Sequence, residues 1–89
     1  MAQNYPNPFN SNTYISFYLP KRENISLTIY DLTGKEVIRL INPQMHASGE
    51  HEIAWNGINQ TGKEVSSGIY LYELRAEGFK QVRKMLFIK

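Results

Sequence analysis

Apolar and polar residues alternate with a period of two along nearly the whole chain. Thr13, Ile15, Phe17 and Leu19 alternate with Tyr14, Ser16 and Tyr18 before Pro20 stops the run. Ile25, Leu27 and Ile29 alternate in the same way with Ser26, Thr28 and Tyr30. Successive side chains of a strand point to opposite faces, so each run predicts a half-buried strand. DLTGK at 31–35 predicts a tight hairpin turn, where Gly34 supplies a positive φ, and KEVIRLI returns as a strand over 35–41. NPQMHASG at 42–49 reads as a connection punctuated by Pro43 and Gly49. EHEIAWN resumes the alternation, with His51, Ile53 and Trp55 on one face and Glu50, Glu52 and Ala54 on the other. A polar loop follows, with room for one very short strand near Val65. GIYLYELRA and FKQVRKMLFIK then read as a final hairpin turning at Glu77–Gly78.

Six strands and a short seventh, spaced about ten residues apart and with no helical stripe, predict an all-β fold. The expected architecture is an immunoglobulin-like antiparallel β-sandwich of about seven strands, with no disulfide and no internal repeat. Residues 1–12 are expected to form a proline-rich lead-in and residues 13–89 the sandwich.

Composition narrows the chemistry. Eighty-nine residues suit one domain with a thin core and leave little room for a deep catalytic cleft. The absence of cysteine excludes disulfides, a thiolate nucleophile and cysteine-ligated zinc. No apolar run approaches the ~20 residues of a membrane-spanning helix, and the first residues lack the basic-then-apolar form of an export signal. The net charge of +2 does not suggest nucleic acid. Its distribution says more: Lys80, Arg83, Lys84 and Lys89 crowd the last ten residues with no acid among them. Such charges either favour an anionic partner or guard an apolar strand against self-association.

Catalytic groups are scarce. Asp31 is the only aspartate and stands at a turn, where its carboxylate commonly bonds backbone. His46 and His51 are five residues apart, a spacing that puts them on opposite faces of a single strand, so no metal site is expected. No nucleophile elbow, phosphate-gripping loop or EF-hand is present. The chain is expected not to be an enzyme and to need no cofactor. Tyr14, Tyr18 and Tyr30, with Trp55, would suit a flat platform for sugar rings, although aromatic residues are also ordinary strand formers.

One stretch fits no element. NYPNPFN, residues 4–10, places two prolines and three asparagines around two aromatic rings. Pro6 and Pro8 fix φ near −65° and hold Tyr5 and Asn7 away from helical geometry, which makes a stiff lead-in. Tyr5 and Phe9 would be pegs that dock it, and the asparagines would bond backbone that strands leave free.

Taken in order, NYPNPFN, DLTGKEV, AWNG, SSGIYLYEL and KMLFIK resemble the C-terminal sorting domain of type IX secretion in Bacteroidota-like bacteria. They are equally similar to the immunoglobulin-like module shared with flagellar hook-capping proteins. The resemblance covers residues 3–89. It places the opening motif on Asn4, Tyr5, Pro6, Asn7, Pro8, Phe9 and Asn10, the hairpin glycine on Gly34, and the tryptophan–glycine turn on Trp55 and Gly57. The glycine–tyrosine motif falls on Gly68 and Tyr70, and the closing strand on Lys84, Met85, Leu86, Phe87, Ile88 and Lys89. Ser11 stands where many members carry a further proline.

The resemblance implies a non-catalytic sorting signal at the C-terminal end of a larger secreted protein. It implies recognition by outer-membrane type IX components and removal by a sortase-like peptidase as the N-terminal cargo is attached to the surface. The implied location is the surface or exterior of a Gram-negative bacterium, reached through the periplasm. The terminal strand would be the part that is read. A carbohydrate-binding or spacer module on a secreted enzyme and a hook-capping-like structural module remain the alternatives at this point. No nucleic acid and no membrane span are implied, and the sequence fixes no oligomeric state.

Overall fold

A computed structural model describes all of residues 1–89. The alternating runs form six strands: β1 (Thr13–Leu19), β2 (Glu23–Asp31), β3 (Glu36–His46), β4 (Gly49–Trp55), β5 (Gly68–Ala76) and β6 (Phe79–Phe87). All pair antiparallel, in a two-stranded sheet of β1 and β4 and a four-stranded sheet ordered β3-β2-β5-β6. Ile15, Phe17 and Leu19 from the small sheet pack with Ile25, Leu27, Ile29, Tyr70, Tyr72, Leu74, Met85 and Phe87 from the large one. The inward positions are those of the alternation, and the expected all-β sandwich forms around them. Truncating one such fully buried side chain to alanine costs about 2–5 kcal/mol.

The strand near Val65 is reduced to an isolated bridge between Ile58 and Glu64. The third strand is longer than expected. Residues 42–46, read from sequence as a connection, continue β3 to His46. Pro43 had argued for a break, but β3 lies at the sheet edge and its register with β2 slips, leaving Asn42 and Pro43 without partners. A residue with no N–H is tolerated at such a bulge.

His46 and His51 also differ from expectation. They lie on two strands either side of a short turn, so their rings meet edge to face at 5.4 Å, and His51 stacks on Phe17 at 5.3 Å. The odd-spacing argument holds only within one strand. No group of three or more histidine, cysteine or acidic side chains is placed to hold a metal ion.

Contrary to the expectation of no repeat, DLTGKEV (31–37) and NQTGKEV (59–65) build the same turn twice. Asp31 Oδ1 accepts bonds from the Thr33 N–H, the Thr33 hydroxyl and the Lys35 N–H at 2.9, 2.6 and 3.1 Å. Asn59 Oδ1 accepts the equivalent three from Thr61 and Lys63 at 3.1, 2.9 and 3.0 Å. Gly34 and Gly62 both close the turn with positive φ, +87° and +86°. The second turn lies against the first hairpin. The Gln60 N–H donates to the Val37 carbonyl at 3.0 Å, and Gln60 Oε1 accepts from the Arg39 N–H at 3.3 Å. Gln60 thereby covers part of the outer edge of β3.

The Thr33 hydroxyl, then the Lys35 and Thr33 amides and the Lys35 charge, hold the Asp31 carboxyl below its ordinary pKa of 3.8. A lowered carboxylate pKa stabilises the fold above the unfolded value, and that contribution disappears as pH falls through the folded value. The amide in the twin turn does not titrate. Asp31→Asn is therefore expected to keep the turn and to flatten the loss of thermal stability below about pH 4, measured by circular dichroism melts across the acid range.

Candidate functional site

The lead-in runs along the seam between the two sheets and ties their edges together. On one side, the Tyr5 N–H and carbonyl bond the Tyr14 carbonyl and N–H at 3.0 and 2.8 Å, and the Ala2 N–H donates to the Ser16 carbonyl at 3.0 Å. These contacts occupy the first half of the outer edge of β1. On the other side, the Phe9 N–H donates to the Leu86 carbonyl at 3.0 Å and the Ile88 N–H to the Phe9 carbonyl at 2.9 Å. Asn7 Oδ1 accepts from the Leu86 N–H at 2.9 Å, and Gln3 Nε2 donates to the Lys84 carbonyl at 2.6 Å. The opening motif is bonded directly to the last strand.

Phe9 explains why the docking holds. It is 2% exposed, with its ring centre 4.9 Å from that of Phe87 in a stacked arrangement and 5.6 Å from that of Trp55. Trp55, 1% exposed, meets Tyr70 edge to face at 5.4 Å and donates its indole N–H to the Ile58 carbonyl at 3.0 Å. The Tyr70 hydroxyl donates to the Ser66 carbonyl at 2.6 Å. Aromatic pairs of this kind contribute about 0.5–1.5 kcal/mol beyond the area they bury. Gly57 allows the approach: a Cβ there would lie 2.9 Å from Phe87 Cζ, and its φ is +74°.

The polar residues of the lead-in are bonded inside the seam. The Tyr72 hydroxyl accepts the Asn4 N–H at 2.8 Å and donates to the Ala2 carbonyl at 3.1 Å. Asn4 Nδ2 donates to Thr13 Oγ1 at 2.9 Å, and the Thr13 hydroxyl donates to the Pro6 carbonyl at 2.9 Å. No buried side-chain nitrogen or oxygen lacks a partner. Burial pushes the Tyr72 phenol above its ordinary pKa of 10.0, partly opposed by the Asn4 amide and the Arg83 charge.

The residues singled out from sequence therefore divide. Asn4, Asn7, Phe9, Trp55, Gly57, Tyr70, Met85 and Phe87 converge where the lead-in meets the last strand, and Gly68 pairs with Phe87 at the start of β5. Gly34 belongs to the turn pair instead. Tyr5 is no peg: it is 77% exposed and contributes backbone bonds only. Pro8 and Asn10 are exposed, while Lys84, Leu86, Ile88 and Lys89 lie at the surface. Lys89 pairs with Glu64 at 3.5 Å. Sequence reasoning missed Gln3, Thr13 and Tyr72. Their alternation places Thr13 and Tyr72 inward, but nothing in it signals where a hydroxyl finds its partner. The four-residue sugar platform is not assembled, because Trp55 is buried and Tyr30 lies on the opposite sheet from Tyr14 and Tyr18. A cavity of about 450 Å³ is an open cleft between the twin turns, with Ser66 and Tyr70 in its wall. No helix is long and apolar enough to cross a membrane.

Residues 3–89 match the family described as the secretion system C-terminal sorting domain. Among solved structures, the chain is similar to dimeric latent PorU from Porphyromonas gingivalis, with TM-score 0.77 and 23% identity over 97% of this chain and 9% of that one. It is similar to PorZ of the same organism, an essential bacterial surface component of the type-IX secretion system, with TM-score 0.65 and 22% identity over 98% of this chain and 11% of that one. A third likeness is to FlgD from P. aeruginosa, with TM-score 0.64 and 26% identity over 84% of this chain and 60% of that one. The chain thus spans about a tenth of PorU and of PorZ. No curated protein sequence matches it.

Two substitutions test the seam. Tyr72→Phe leaves the buried Asn4 N–H unbonded and is expected to cost about 1–3 kcal/mol. It should also remove the Tyr72 share of the stability loss that sets in as pH rises above 10.0, because the contribution of a raised phenol pKa is fully present below the unfolded value and is lost as pH rises through the folded one. Gly57→Ala meets both the Phe87 ring and an unfavourable φ, and is expected to cost about 3 kcal/mol, against about 1 kcal/mol for Gly62→Ala, where the space is open. Chemical denaturation of the two glycine variants side by side separates the clash from the backbone term.

Proposed function

The chain belongs to the secretion system C-terminal sorting domain family, and from that membership we propose that it directs an N-terminal cargo protein through a type IX apparatus. Domains of this family mark proteins for passage across the outer membrane, to the cell surface or beyond. The domain is a non-catalytic label. The likeness to PorZ, a surface component of the type-IX system, supports the choice of apparatus. The partners in this reading are outer-membrane components that recognise the domain, a sortase-like peptidase that removes it, and the cargo. Residues 1–12 act as the boundary segment and residues 13–89 as the body of the signal.

The observation that supports reading at the terminal strand is its two-sided construction. Met85 and Phe87 anchor β6 in the core, while Lys84, Leu86 and Ile88 between and beyond them stand at the surface. Since the lead-in takes the outward backbone groups from the Lys84 carbonyl to the Ile88 N–H, an anchored strand with accessible alternate side chains here suits recognition through those side chains.

Removing residues 84–89 would also remove Met85 and Phe87 from the core, so truncation cannot separate the signal from the fold. A cleaner test fuses the whole domain to a periplasmic reporter carrying its own export signal. The reporter is expected at the surface or in the medium of a type IX host, and in the periplasm of the same host with the apparatus disabled. A folded fusion that stays periplasmic in both would sink the sorting reading.

A further inference from the structure

The outer edge of β6 is covered along only half its length. The Leu86 N–H and C=O bond Asn7 and Phe9 outside the β5–β6 pair, so by alternation the odd-numbered residues of β6, Phe79 to Phe87, turn their backbone groups to β5. The N–H and C=O groups of the even-numbered residues therefore point away from it. The Lys84 carbonyl, both groups of Leu86 and the Ile88 N–H are taken by Gln3, Asn7 and Phe9. Both groups of Lys80 and of Val82, and the Lys84 N–H, face outward with no strand beside them, because β6 ends the sheet.

Other edges of the sandwich are closed or differently charged. Gln60 and the bulge at Pro43 blunt β3, and Ala2 and Tyr5 take the β1 edge from Tyr14 to the Ser16 carbonyl. The outer edge of β4 has no strand beside it, but it carries Glu50 and Glu52. The open half of β6 has the opposite sign. Lys80 stands opposite Arg75, and neither Lys80, Arg83 nor Lys84 pairs with an acid. Val82 between them is 48% exposed and Phe79 is 37% exposed.

We propose that this open half is a docking edge for an extended, acidic segment of the secretion machinery, which adds as a fifth strand beside Lys80, Val82 and Lys84 and stops where the lead-in begins. The inference rests on the sorting reading and locates its recognition step. Main-chain bonds supply attachment, and because residues two apart share a face, a partner reading Glu-x-Val-x-Glu sets carboxylates over Lys80 and Lys84 with an apolar residue over Val82. The charge selects the partner: an acidic strand gains two ion pairs here that a neutral one does not.

Val82→Pro removes one outward N–H and no bond to β5, so it blocks the edge while sparing the sheet. A second variant, Lys80→Glu with Lys84→Glu, keeps every N–H and reverses the charge. The probe is the heptapeptide Thr-Glu-Thr-Val-Thr-Glu-Thr, titrated into the whole isotope-labelled chain and followed by amide NMR. Shifts are expected at Lys80, Val82 and Lys84, with affinity about tenfold weaker in each variant, the equivalent of roughly one hydrogen bond or ion pair. Export of the reporter fusion is expected to fall in both variants, with circular dichroism showing them folded. Shifts centred on Leu86 and Ile88, or no shifts, would overturn the proposal. So would shifts that grow with protein concentration alone, which would assign the edge to β4 of a second copy. Undiminished export of both folded variants would overturn it while leaving the sorting reading intact. A wild-type fusion that is never exported brings down the sorting reading and this inference with it.

Discussion

Two strands face four in this sandwich, and the mismatch in width governs much of the rest. Strands sit about 4.8 Å apart, so the large sheet exceeds its partner by roughly 10 Å. Apolar side chains on the excess would be left in water unless something other than a strand covered them. On the β6 side the cover is the lead-in, with Phe9 laid between Phe87 and Trp55 and the backbone bonded to both sheets. Beside β3 it is the second of the twin turns, held by Gln60. Residues that belong to no strand are thus part of the wall of the core.

That division also explains what sequence could and could not reveal. Alternation reports burial of one sheet face, so it located all six strands, the inward tyrosines of β5 and the final hairpin. It is blind to edges. Pro43 looked like a terminator because proline cannot continue an interior strand, yet on a bulged edge it interrupts nothing. The twin turns escaped because their shared feature is a pattern of side chain to backbone bonds, set by one aspartate and one asparagine, rather than a hydrophobic rhythm. In the lead-in, composition suggested stiffness and docking, but the assignment of pegs was half right. Phe9 is buried while Tyr5 is exposed, and only the position of Phe87 and Trp55 across the seam decides between them.

The lead-in joins the two ends of the domain in one structural unit. Gln3, Asn7 and Phe9 lie on the strand that contains Lys84 to Phe87, and Tyr72 on the central strand β5 holds Ala2 and Asn4 in place. In a protein whose cargo precedes this domain, the cargo junction and the terminal strand therefore lie side by side. Release of the lead-in would leave Phe87 partly uncovered, and three outward groups of β6 and the Ile88 N–H unbonded at once. Integrity of the lead-in and integrity of the last strand are the same physical property.

The lysines of β6 admit two readings that differ less than they first appear. Positive charge on an open strand edge repels the same edge of another copy, a common protection against edge-to-edge aggregation. Protection of that kind depends on like charges meeting, so it fails by construction against an acidic strand. A neutral edge would pair with any extended segment, and a fully covered edge with none. A basic edge left open over half its length, and sealed by the chain's own residues over the other half, discriminates by charge and by length together. Those are the two quantities by which one extended segment is most easily told from another when the main-chain bonds are the same for all.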